Sequence, residues 1–482
     1  MIEAEAGETR NNRGRIPFAL PIAVVFVLVM LGYAVWAAFT GIGRFPALAP
    51  GQTTLARAIA LRVGYGPDSA YYIAAAKAPV WSMKFLATPN GAPFLFPLLA
   101  KVCLRSLRAI VIAESAIAAA AWLFLASTVG SRMRRPAART FGFAALLLLA
   151  VSPPVLLWNV FIATETLSIA LLCVAIALFI RLMSGAAGRH DFVAFAVVLV
   201  ALACTRDTYA PLLLVVAVIA GVAALVRRDL RRRGAIIVLV CLVAGIGNAA
   251  LSNHAGRWFD PLDETIAARL LRSPEATDYL VDHGMPYNQQ VRALRNQYAI
   301  VYLAYNVTYG KEYASYRKWL LSDGRSTYTS FLLTHPWFDV SEPFDDRKRV
   351  LTPGVLFYSN TYHTAPRGPF VYAGKVGMPQ SQSVVEIWIG LALIAAIGLW
   401  MRRRDRALFV ATGTVAFLVI PHFMVAWHGD ALELDRHIIG AAVQLRIVLW
   451  IVTALALDAV LEWRWRRSRR AAATAALTEA TP

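Results

Sequence analysis

Charge is scarce in this chain. Only 16% of its 482 residues are Asp, Glu, Lys or Arg, while 58% are hydrophobic. A soluble protein of that length would have too little polar surface at this composition, so a polytopic membrane protein is the economical reading. Cysteine is also sparse. Cys103, Cys173, Cys204 and Cys241 are the full set, three of them inside apolar runs, and no C-x-x-C pair occurs. A disulfide framework and a thiolate metal site are therefore unsupported. His254, His283, His335, His363, His422, His428 and His437 show no metal-ligand spacing. Neither a Walker A sequence nor a G-x-G-x-x-G fingerprint is present, which leaves ATP or nucleotide-sugar chemistry without a cradle. The net charge of +19 would suggest nucleic acid in a soluble protein. Here the arginines sit at the ends of apolar runs and form no basic groove interleaved with aromatics, so nucleic acid is not an expected partner.

What the chain has is ten apolar runs, near 16–39, 107–129, 141–162, 165–183, 192–206, 208–226, 235–252, 384–401, 407–427 and 438–461. A span needs about 20 apolar residues, and the fifth run is short by that measure. The predicted fold is an all-α polytopic membrane protein with about ten transmembrane helices and a mostly helical extracytoplasmic domain. The divisions expected are a cytoplasmic N-terminus at 1–15, a membrane core at 16–252 with a first outer loop at 41–106, and an extracytoplasmic domain at 253–383. C-terminal spans at 384–461 and a basic cytoplasmic tail at 462–482 follow. The apolar run Ile16–Thr40 is too long for a signal-peptide core and reads as an uncleaved first span.

Every second loop is rich in arginine: the N-terminus, Arg132/Arg134/Arg135/Arg139, Arg181/Arg189, Arg227–Arg233, Arg402–Arg406 and the tail Arg464–Arg470. The intervening short loops hold only Arg206 and Arg436. The positive-inside rule then predicts that both termini are cytoplasmic, in agreement with an even number of spans. High arginine and alanine fit the cytoplasmic membrane of a bacterium with a GC-rich genome.

Two outer segments are long. In the first, Thr54–Val63 and Asp68–Ala78 read as surface helices, and Pro79, Pro89, Pro93 and Pro97 break the remainder into turns. In the second, helices are predicted at 277–283, 313–321 and 326–334, with 345–349 and 361–368 irregular. The alanine-rich end Ala471–Pro482 is expected to be disordered.

Four constellations could carry chemistry. Asp68, in Gly66-Pro67-Asp68-Ser69-Ala70-Tyr71-Tyr72, could accept a proton from an acceptor hydroxyl, or could simply cap the helix that follows. Glu165, in Asn159-Val160-Phe161-Ile162-Ala163-Thr164-Glu165, starts a span at the next outer turn. It could orient an acceptor or a cation, or merely complement the helix dipole. Ser152-Pro153-Pro154 should kink the helix upstream and open space near that turn. Arg206 could bind a phosphate, snorkel, or pair with its neighbour Asp207. Arg436-His437 stands in a dense charge cluster and is the stronger candidate for phosphate. Gln444 and Arg446 lie inside the last span, where a charge is expensive unless it is paired or functional. Glu114 is the one other deep charge. Tyr71, Tyr72 and Asn159 flank the acidic motifs as candidate substrate contacts.

On these motifs and their places in the topology, the chain resembles the GT-C superfamily of integral-membrane glycosyltransferases, which take sugars from polyprenyl-phosphate carriers. The nearest likeness is to protein-mannosyltransferase-like and aminoarabinose-transferase-like members, and it covers roughly residues 15–252. The resemblance implies that Asp68 is the general base and Glu165 a second, acceptor-side or metal-side carboxylate. Arg206, Arg436 and His437 would contact the donor phosphate. It implies as partners a polyprenyl-phosphate-linked sugar, a glycan, lipid or protein acceptor, and membrane lipid. No cofactor is required by the motifs. A single acidic residue, where the family carries an adjacent pair, leaves a divalent metal an open question. The expected reaction is an inverting sugar transfer. The competing readings are a transporter or flippase of lipid-linked sugars and a glycopolymer ligase in which outer Arg and His residues act.

Overall fold

The computed structural model describes residues 18–40, 68–88, 93–185, 187–295, 307, 309–353, 368–401, 406–429, 431 and 434–479. All regular structure in them is helical. The predicted surface helix Thr54–Val63 and the segment 361–367 lie outside these residues.

Helix α1 is Ala19–Thr40. Three short helices follow: α2 (Ser69–Ala75), α3 (Met83–Leu86) and α4 (Leu95–Val102). Pro97 lies in the first turn of α4, where an N–H has no intrahelical acceptor, so this proline is accommodated within a helix rather than breaking the chain as expected. Then come α5 (Leu107–Arg132), α6 (Pro136–Ala150) and α7 (Pro153–Leu156), the last running into a 3₁₀ turn at Leu157–Val160. Ser152-Pro153-Pro154 bends this third apolar run by 56°. Two prolines supply no N–H to the preceding turn, and Ser152 Oγ instead donates to the Leu149 carbonyl at 2.6 Å. After it come α8 (Glu165–Met183), α9 (Arg189–Ala203), α10 (Tyr209–Val226) and α11 (Arg231–His254).

The next stretch holds α12 (Phe259–Ala268), α13 (Pro274–Asp282), α14 (Gln289–Ala293), α15 (Ala314–Trp319), α16 (Arg325–Thr334), α17 (Pro336–Asp345), α18 (Lys348–Leu351) and α19 (Pro369–Gly377). The chain ends with α20 (Gln382–Met401), α21 (Arg406–Gly429) and α22 (Leu434–Glu479).

Among the described residues, eight helices are long and apolar enough to cross a membrane, and the bent α6–α7 pair would be a ninth. The predicted fifth span is α9, at 15 residues shorter than those eight, yet it runs back along α8 from Asp191, paired with Arg181, to Arg206, beside Glu165. The protein is thus a helical membrane protein. Its apolar exterior agrees: α20 leaves Ile387, Leu391, Leu393, Ile394 and Ile397 exposed, and α11 leaves Leu239, Val243 and Ile246. Lipid tails cover such faces at no cost in water contact.

The main core is built from α1, α5, the α6–α7 run, α8, α21 and α22. A second cluster packs α8, α9, α10 and α11 together. Within the stretch 253–383, the described residues from Trp258 to Phe338 have their own core around Ile266, Leu280, Tyr316, Leu320 and Phe331. Val350, Leu351 and Met378 instead belong to the main core. Helix α19 approaches α6 and α7 closely enough that a Cβ on Gly374 would stand 2.5 Å from Pro153 and one on Gly377 2.7 Å from the Leu148 carbonyl. Glycine is what permits that approach.

Two other expectations are corrected. The stretch 345–349, read as irregular, is helical in large part: α17 ends at Asp345, and Lys348 opens α18. The alanine-rich end continues α22 as helix as far as Glu479, because alanine is the strongest helix former and the run starts from an existing helix.

Candidate functional site

The helix ends divide the bundle into two faces. One carries the arginine clusters. The other, here the site face, carries the starts of α8, α10 and α22 and the short helices before α5.

The backbone fixes this face before any charge does. Ser69 Oγ donates to the Ile162 carbonyl at 2.5 Å and pins the start of α2 to the turn that precedes α8. Lys101 Nζ, from α4, donates to the Ala76 and Ala78 carbonyls at 3.1 and 2.8 Å and closes the end of α2. Leu95 N donates to the Cys204 carbonyl at 3.0 Å, tying α4 to the α9–α10 turn. Leu104 and Arg105 take left-handed backbone angles so that Arg105 N can reach the Ala100 carbonyl and turn the chain into α5. Non-glycine residues in that region cost about 1 kcal/mol or more each.

These anchors bring Asp68 and Glu165 to one guanidinium. Arg436 Nη1 donates to Asp68 Oδ2 at 2.7 Å, and its Nε bonds directly to Glu165 Oε1. Arg206 Nη1 lies 3.3 Å from the same Glu165 oxygen. Its Nη2 stands 2.6 Å from His437 Nδ1. Arginine can only donate, so His437 Nδ1 is the acceptor and the ring carries its proton on Nε2. Tyr72 completes the cluster, donating to Asp68 Oδ2 at 3.3 Å and accepting from Arg436 Nη2 at 3.4 Å. Burial pushes the Tyr72 phenol well above its ordinary range, with Asp68 adding to the effect. It therefore acts here as a neutral hydrogen-bond donor.

Glu165 is fully buried and the Arg436 side chain 3% exposed, but the Asp68 side chain is 34% exposed. Two carboxylates face two guanidinium groups, so the cluster is formally balanced. Breaking a buried pair of this kind by removing one partner leaves an uncompensated charge.

Three of the sequence alternatives are thereby corrected. Asp68 occupies the N-cap position of α2 but makes no side-chain capping bond, because its carboxylate is turned to Arg436 and Tyr72. Glu165 is not an exposed first-turn residue complementing a dipole; it lies at the centre of the ion pairs. Arg206 does not pair with Asp207. Asp207 is held by Arg257 at 2.9 and 3.0 Å and by Asn248 at 2.9 Å. Of the candidate substrate contacts, Tyr72 is in the cluster and Tyr71 is 42% exposed away from it. Asn159 is buried against α1 and α5, its amide 3.8 Å from Met30 Sδ and its carbonyl accepting from Ser115.

The deep polar residues have separate partners. Gln444 bonds His422 at 2.9 Å and the Val415 carbonyl at 2.8 Å. Arg446 bonds the Leu351 carbonyl and, at 3.4 Å, that of Pro379, which fastens α18 and the end of α19 to the last span. Glu114 is fully buried on α5, both its oxygens lack a hydrogen-bond partner, and the charge of Glu165 reaches it. Sequence reasoning missed Arg257, which sits just beyond a span end and showed no pattern of its own.

Arg436 stands between Asp68 and Glu165, and no group of three or more potential ligands occurs among the described residues. A comparison with protein-family models, with curated proteins and with solved structures gives no match.

Proposed function

We propose that this protein is a GT-C-like membrane glycosyltransferase, moving a sugar from a polyprenyl-phosphate carrier to an acceptor hydroxyl on the extracytoplasmic side. The observation that carries the reading is the joining of Asp68 and Glu165 through Arg436, at the face away from the arginine clusters. A solvent-accessible carboxylate and adjacent guanidinium groups are what a displacement at a phosphate-bearing carbon calls for.

In this reading the lipid lies between spans and its phosphate meets Arg206 and Arg436, with His437 beside them. The incoming phosphate competes with Asp68 for Arg436 and leaves that carboxylate facing the acceptor hydroxyl. The acceptor oxygen attacks the anomeric carbon as Asp68 takes its proton. The bond from that carbon to the phosphate oxygen breaks, and polyprenyl phosphate departs with its charge held by the two arginines. A single displacement inverts the anomeric centre. Glu165 keeps Arg436 and Arg206 in place throughout, as a positioning residue. Both termini are cytoplasmic in this scheme, and the membrane is the bacterial inner membrane.

The test is transfer of a radiolabelled sugar from a synthetic polyprenyl phosphate by the purified protein in nanodiscs. Product formation that vanishes in Asp68→Asn supports the reading. Transport of the intact donor without cleavage would replace it with a flippase.

A further inference from the structure

We propose that a groove in the 253–345 region binds a saccharide chain, which the reading above would use as its acceptor. The groove has a volume of about 550 Å³ and opens between the end of α11 and one side of α16. None of the Asp68–Glu165 cluster lines it.

Trp258 forms one wall, half-buried and set edge-on against Phe259 with ring centroids 6.2 Å apart. The Arg325 guanidinium lies 5.8 Å from the Trp258 ring centre, and Asn253 Oδ1 fixes it by accepting from Nη1 at 2.9 Å. Along α16, Ser326 and Thr329 spend their hydroxyl protons on the Asp323 and Arg325 carbonyls, both at 2.8 Å. Their remaining lone pairs accept hydrogen bonds, while Arg325 and Asn253 can donate them. A sugar ring offers an apolar C–H face with hydroxyls that both donate and accept. That is the complement of an indole wall flanked by hydroxyls and a guanidinium.

Two further observations favour a ligand of this class. The wall that carries Leu321 and Ser322 is a π-helical turn, Leu320–Gly324, a form that costs backbone geometry and recurs at functional sites. Among the described residues that line the groove Arg325 is the one charged side chain, and the nearby Asp323 carboxylate is engaged by Ser322 Oγ at 2.6 Å. The groove is also tied to the cluster: Arg257, next to Trp258, is paired with Asp207, next to Arg206.

The experiment uses the full chain in nanodiscs on a microarray of neutral and uronate-bearing oligosaccharides. Saturable retention of a subset is expected. Trp258→Ala and Ser326→Tyr should each weaken it about tenfold or more, a loss of one stacking contact or of access. Trp258→Phe should keep most of it, and Asp68→Asn all of it. Ser326 is exposed, so its variant keeps the test valid if Trp258→Ala unfolds. Retention of no oligosaccharide, or retention unchanged in both groove variants, overturns the proposal. Sugar transfer without groove-dependent retention sinks the groove alone. Retention without any transfer upholds the groove and sinks the transferase reading.

Discussion

The two faces of the bundle differ in how deeply they bury their arginines. At the arginine-rich face, Arg227 and Asp229 pair two residues apart at 63% and 60% side-chain exposure, and the nearly buried Glu462 draws in Arg135 and Arg466, whose side chains stay 20% and 57% exposed. The Arg227–Asp229 pair is local, screened by salt and of little energetic worth. At the site face, Arg436 joins a residue 271 positions away to another 368 positions away, with almost no contact with solvent. A protein gains little stability from a buried charge network relative to apolar packing, so its presence calls for another reason. Topology explains the arginines of one face; chemistry is the economical explanation of those on the other.

The comparison breaks most readily at Arg436. Arg436→Leu should leave buried Glu165 to Arg206 alone and Asp68 to water and Tyr72, and destabilise the fold by about 3 kcal/mol, the low end for removing one partner of a buried pair. Thermal unfolding in detergent checks it, and a change no larger than that of a surface variant would place the two faces on one footing. Asp68→Asn should come next. Transfer should fall by about 100-fold or more, the typical worth of a general base, while the unfolding temperature changes little.

A third prediction concerns the region between the faces and solvent. Burial raises the Asp263 carboxyl to about 7, with Tyr316 donating to it at 3.0 Å. The folded state therefore holds a proton that the unfolded chain, with its ordinary value of 3.8, has released. Stability from this group is complete below the unfolded value and is lost as pH rises through about 7. Unfolding followed across that range should show the decline in the native protein and a flatter profile in Asp263→Asn. Equal slopes would remove Asp263 as the source. The smallest effect belongs to Arg227→Ala, which should leave unfolding temperature and transfer unchanged within error.

Much of the architecture was legible because apolar runs and arginine clusters are local signals. The kink at Ser152-Pro153-Pro154 follows from two missing donors, and the end of α16 at Thr334 follows from His335-Pro336. The same proline also opens α17, a helix not foreseen from the sequence, with Pro343 inside it. Residues Asp68, Glu165, Arg206, Arg436 and His437 were legible as candidates by type and position. Their connections were not. A short carboxylate beside a helix start ordinarily caps it, and an arginine beside an aspartate ordinarily pairs with it. Both local rules lose here to partners brought in from distant segments, Arg436 for Asp68 and Arg257 for Asp207. Periodicity carries no information about such pairings.

The central claim is that Arg206 and Arg436 receive the phosphate of a lipid-linked sugar beside Asp68. The most direct measurement is a cryo-electron microscopy map of the protein in nanodiscs with a bound polyprenyl phosphate. The account predicts the phosphate within hydrogen-bond reach of both guanidinium groups, with Asp68 facing the adjoining space. A headgroup seated elsewhere, with the Asp68–Arg436–Glu165 cluster intact and closed to it, would contradict the account.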